Sequence, residues 1–270
     1  VRSFNIVDDA SGLQISNPVF GPTNPDFRRR DLNVVPVIQK VNGQLADRVQ
    51  ALAGVFTQTF GVWTVPVTID GDGNATEPDP SAPTTFKQGM NGYRSGHIGF
   101  YSASTDTMYT LLLGGISYQY HDAASGQIMS DPNIPFVNDV TLVADHDGEM
   151  TQYLLSTQFP TITAASNGQP LLLGTLSEFF LRDGIATYEN GVIDLDALNG
   201  PTLVGWLFGG IASDAPNGGK TVASNAMFPI VITPVPEPSQ FAAIALIAFG
   251  LAGAHTTCLR RNAKRKHRTV

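Results

Sequence analysis

Apolar residues along this chain gather into short runs that close on glycine and then meet a branched side chain. Three such runs are Val49–Val55 with Gly54, Tyr109–Ile116 with Gly114-Gly115, and Leu203–Ile211 with Gly209-Gly210. Each is followed by a proline set between apolar residues: Val65-Pro66-Val67, Ile134-Pro135-Phe136 and Phe228-Pro229-Ile230. Each is preceded by another short run, Val34–Ile38, His97–Tyr101 and Gly191–Leu195. Tyr109–Ile116 is apolar on both faces, which predicts a strand buried between two layers. Val140–Leu154 alternates on both sides of Asp147-Gly148, a hairpin signature, and Phe4–Ile15 reads the same way around Gly12.

The pattern predicts an all-β body. Strand units that cannot bury both faces alone must stack on one another, as the blades of a β-propeller do. The alternative is a β-sandwich with chance glycine pairs. The doublets behind Thr110–Leu113 and Gly205–Phe208 resemble the Kelch repeat, a four-stranded propeller blade, over residues 1–232. The resemblance implies a partial, truncated Kelch-like propeller of about three blades over residues 27–88, 93–160 and 171–232, with 1–20 the last hairpin of a preceding blade. The first unit keeps only Gly54, and the third has Pro234 and Pro236 where its fourth strand would run. Since the chain opens at Val1 with no signal peptide ahead of the body, it is expected to be the C-terminal portion of a longer protein.

The C-terminus breaks the strand pattern. Two prolines in Val235-Pro236-Glu237-Pro238-Ser239 stop any regular element, and an uncharged run follows from Phe241 to Ala254. Fourteen residues make roughly 21 Å of helix, short of the bilayer core, and extension to Leu259 reaches roughly 28 Å. Behind it stand Arg260, Arg261, Lys264, Arg265, Lys266 and Arg268. The expected layout is a Pro-rich linker at 233–240, a transmembrane helix at 241–259 and a basic tail at 260–270. The cations place that tail in the cytoplasm and the body outside.

These features resemble the PEP-CTERM sorting signal of Gram-negative bacteria that make exopolysaccharide. The match is carried by Pro236, Glu237 and Pro238, by Gly250-Leu251, and by the Arg260-Arg261 cluster, with His255–Cys258 as a polar departure. The resemblance implies export, transient residence in the inner membrane, and recognition and cleavage near the Pro-Glu-Pro by an exosortase.

Charge changes the picture once the tail is set apart. Net charge is −7, but six of the 16 lysines and arginines follow residue 259; the 10 that remain face all 23 carboxylates, so residues 1–240 carry −13. Such a body disfavours nucleic acid, whose affinity needs protein cations. The sole cysteine, Cys258, excludes a disulfide framework and zinc-finger motifs.

Candidate chemistry is sparse. His97, His121 and His146 stand at no metalloprotease spacing, and Asp145-His146-Asp147-Gly148 reads as a turn before it reads as a metal loop. Asp70-Gly-Asp72-Gly-Asn74 has the oxygen spacing of a calcium loop, but Ala75 and Ser81 stand where the glycine and the bidentate glutamate belong. No Gly-x-Ser-x-Gly elbow, phosphate loop or dinucleotide fingerprint occurs, and no cofactor is expected. The run Arg28-Arg29-Arg30-Asp31 either lines a channel that binds an anionic sugar or, as the favoured reading, pairs alternately with acidic neighbours. Trp63 and Trp206 are expected in the core. Thr84-Thr85 and Thr161–Thr163 are isolated, unlike the flat threonine arrays of ice-binding surfaces. The expected function is a non-enzymatic, exported surface or matrix protein that binds protein or polysaccharide. The alternative is an exported glycan-acting enzyme whose catalytic residues lie on N-terminal blades outside this sequence.

Overall fold

A computed structural model describes residues 1–57, 61–234 and 244–247. Their architecture is all-β, with two short 3-10 turns at Pro25–Phe27 and Leu195–Ala197. The hairpin β1 (Arg2–Asp9) and β2 (Gly12–Phe20) stands apart as a two-stranded sheet. The first sheet runs in chain order through β3 (Asn33–Val41), β4 (Gln44–Leu52), β5 (Val67–Ile69) and β6 (Ala75–Thr76). Asn42 and Gly43 join β3 to β4 with φ of 51° and 78°, the backbone of a type I′ turn.

The second sheet contains β7 (Gly96–Ser102) and β8 (Thr107–Ile116), then, past a small hairpin of β9 (Gln119–Asp122) and β10 (Gln127–Ser130), β11 (Phe136–His146) and β12 (Glu149–Gln158). Asp147 and Gly148, at φ of 50° and 84°, turn β11 into β12 as expected. Next come β13 (Leu172–Thr175), β14 (Glu178–Leu181), β15 (Ile193–Asp194), β16 (Thr202–Phe208), β17 (Ile211–Ser213), β18 (Thr221–Ala223), β19 (Met227–Pro234) and β20 (Ile244–Ile247). A third sheet has the order β14-β16-β19-β20, and β13-β17-β18 form a small sheet beside it.

The three glycine-closed runs fall on β4, β8 and β16, the second strands of three different sheets. Each pairs antiparallel with the strand opened by its proline: β4 with β5, β8 with β11, β16 with β19. A single two-layer sandwich would have merged them. The second and third gaps are longer because they hold the extra strands β9–β10 and β17–β18.

Packing explains why β8 is apolar throughout. Tyr109, Leu111 and Leu113 join a core with Val204, Leu207, Ile230 and Ile232 of the third sheet. Met108 and Leu112, of the opposite parity, join Val35, Val37 and Leu52 of the first sheet. The middle sheet is therefore covered on both faces.

Three expectations need correction. The first strand of the third sheet is Glu178–Leu181, whereas Ile193–Asp194 pairs parallel with Phe100–Tyr101 at the edge of the second sheet. The third sheet does have a fourth strand: Ile244–Ile247 pairs with Val231–Pro234, giving partners to backbone groups that an edge would leave open. Those four residues are extended where a helix was expected over 241–259; the remainder of that span, with the basic tail, lies outside the described residues. No helix among the described residues is long and apolar enough to cross a membrane.

Candidate functional site: an arginine and aromatic cleft

The sorting residues Pro236, Glu237 and Pro238 and the cations Arg260, Arg261, Lys264, Arg265 and Lys266 lie outside the described residues. Within the body, the arginine run lines a candidate site. Asn24 caps the turn Pro25–Phe27 by accepting from the Asp26 amide at 2.9 Å, and Arg28 closes it by donating its amide to the Pro25 carbonyl.

Successive side chains then part. Arg29 points inward and is buried, while Arg28 and Arg30 stay exposed. Its guanidinium donates to the carbonyls of Val65 at 2.5 Å and Ala53 at 3.3 Å, and its Nη2 meets Glu77 Oε1 at 2.6 Å. It also stacks over Trp63 at 5.0 Å. Burial pushes Arg29 below its ordinary value, and the charge of Glu77 offsets part of that. Burial likewise pushes the Glu77 carboxyl up against the pull of Arg29. Desolvation leads in both partners, so the pair fixes the geometry of the segment at an energetic cost.

Arg30 lies over the Phe56 ring at 5.3 Å, and its carbonyl accepts from the Val55 amide at 2.8 Å. Phe56 is about half exposed and holds φ at 63°, a left-handed conformation that costs a side-chain-bearing residue about 1–2 kcal/mol. Together Arg28, Arg29, Arg30, Phe56 and Trp63 line a cavity of about 610 Å³. That is the size range of small-molecule sites. The Trp63 indole N–H is shielded from solvent and has no acceptor among the described residues.

The favoured expectation for the run holds for one arginine in three. Arg29 pairs, but with an acid 48 positions away; Asp31 is taken by Arg94 at 3.1 Å. Arg28 and Arg30 make no ion pair among the described residues. Trp63 is half-buried at the cavity wall, and Trp206 is half-buried in β16, so neither is sealed in the core. The sequence reading overlooked Phe56 and Glu77; the only local signal was the arginine run itself.

The other candidates resolve into turns and clasps. Asp70 accepts from the amides of Asp72 and Asn74 and from Asn74 Nδ2 at 2.8–3.0 Å, closing its own loop. Asp145 accepts from the Gly148 amide at 2.9 Å and from Gln39 Nε2 at 3.1 Å. Beside it, Asp106 takes Lys40 at 2.9 Å and the Tyr101 hydroxyl at 2.6 Å. These partners tie the turn tips of the first and second sheets together around a cavity of about 180 Å³. His97, His121 and His146 are not brought together: His97 Nδ1 meets the Ser95 carbonyl, His146 Nδ1 meets the Thr107 hydroxyl, and His121 donates its backbone amide to Asp139 while its ring Nδ1 has no partner among the described residues. No cluster of three or more metal-ligating side chains occurs among the described residues.

No protein-family model, no curated protein and no solved structure matches this chain.

Proposed function

We propose that the chain is part of an exported, Kelch-like β-propeller that acts without catalysis at the cell surface or in the extracellular matrix, where it binds protein or polysaccharide. Its supporting observation is the doubly covered strand β8, flanked by two further sheets whose second strands carry the same glycine ending. Stacked sheets of this kind present loops on a rigid frame, the usual location of binding residues. The β1–β2 hairpin fits the outer half of a preceding blade: like β11–β12, it runs regularly from its turn to a register shift far from the tip.

In this reading Pro236–Pro238 and the cations from Arg260 onward direct export and processing by an exosortase. The test is expression in paired hosts with and without the exosortase. Loss of the tail near Pro236 only when the protease is present, with the body outside the cell, is the expected result. The same cleavage in both hosts overturns the sorting assignment.

A further inference from the structure

Resting on the reading of the body as a binding module, we infer that the cleft of Arg28, Arg30, Phe56 and Trp63 binds a carboxylate-bearing sugar unit of an acidic polysaccharide. Four observations converge. Arg28 and Arg30 are exposed and without a carboxylate partner among the described residues, whereas the nearby Asp31 and Glu77 are already taken. Guanidinium is the side chain that meets a carboxylate through two parallel N–H donors, so a ring carboxylate fits its fork.

The walls beside these cations are aromatic. Phe56 exposes about half its surface beside Arg30. A pyranose presents a C–H face to such a ring and hydroxyls at its rim.

Preorganisation is already in place. Arg29 is anchored by Glu77, Ala53 and Val65, so its two neighbours are held on the open side before any ligand arrives. A site fixed in advance loses less ordering entropy on binding. The cavity of about 610 Å³ accommodates a sugar unit and part of its neighbour.

The cleft itself sets the ligand chemistry: Arg28 and Arg30 have no carboxylate partner among the described residues, and Arg30 lies over Phe56, so a ring carboxylate meets its guanidinium fork beside an aromatic face.

The test uses the full 270-residue chain in detergent, with hexagalacturonate, its methyl ester and polyglutamate as probes, read by calorimetry and tryptophan fluorescence. Expected results are binding of hexagalacturonate that weakens with salt, and at least about tenfold weaker binding of the ester and of polyglutamate. Arg28→Ala/Arg30→Ala should lower affinity about 100-fold and Phe56→Ala about tenfold, with melting temperature unchanged in the double arginine variant. Absence of hexagalacturonate binding, equal binding of the ester or of polyglutamate, or unchanged affinity in the arginine variant overturns the inference. Such failure alongside normal exosortase-dependent export would leave the surface-protein reading standing; loss of that export with binding intact would do the reverse.

Discussion

Arg29 and Glu77 meet at 2.6 Å with their side chains only 2% and 9% exposed, joining the arginine run to the segment that follows β6. Because burial opposes both charges, each depends on the other. Replacing Glu77 by Ala should therefore destabilise the protein by about 3–5 kcal/mol, by stranding a buried guanidinium. Arg29→Met combined with Glu77→Leu should recover most of that loss. Urea unfolding of the three proteins measures the difference, and equal stability of wild type and Glu77→Ala would contradict it.

Leu111 and Leu112 are adjacent on β8, are 0% and 1% exposed, and belong to different cores. Truncating either to Ala should cost about 2–5 kcal/mol. In a sheet covered on one face only, one of the two would be nearly silent. Parallel denaturation curves decide the matter.

Gly114 and Gly174 clasp β8 to β13. A Cβ on Gly174 would lie 2.1 Å from the Leu113 carbonyl oxygen, and one on Gly114 would lie 2.2 Å from that of Leu173. Both hold positive φ, so Gly174→Ala adds overpacking to backbone strain and should cost about 2–4 kcal/mol. Gly126 also has positive φ, but nothing lies within 4 Å of its missing side chain. Gly126→Ala should show the backbone cost alone, about 1 kcal/mol. Similar melting temperatures for the two variants would refute the clasp.

The acid limb of stability should be read differently by two aspartates. Hydrogen bonds from Tyr101 and then Lys40 hold Asp106 below its ordinary 3.8. Its contribution is thus present above 3.8 and lost as pH falls through the lower folded value. Burial holds Asp139 above 3.8, more strongly than the His121 amide lowers it. That contribution runs the other way, full below 3.8 and lost as pH rises through the folded value. Stability measured between about pH 3 and pH 7 should show the wild-type advantage over Asp106→Asn shrinking in acid. For Asp139→Asn, the variant should gain on wild type as pH rises.

Much of the body was legible because its signals are local. A run apolar at both parities, such as Tyr109–Ile116, has few options other than a doubly covered strand. Asp147-Gly148 supplies the left-handed conformations that a tight turn requires. The opening strand of the third sheet was misassigned for the opposite reason. Glu178–Leu181 is too short to show a period, and Gly191–Leu195 is apolar enough to mimic one.

The sequence by itself determined the punctuation: where glycine and proline close the apolar runs, and how charge divides between an acidic body and a basic tail. Tertiary structure alone decided the partners. Which sheet received Ile193, which edge took Ile244–Ile247, and which of three consecutive arginines turned inward all depend on groups many positions away. Period and turn chemistry act between neighbours in the chain, whereas a buried charge or an open strand edge is satisfied only by what the folded chain brings beside it.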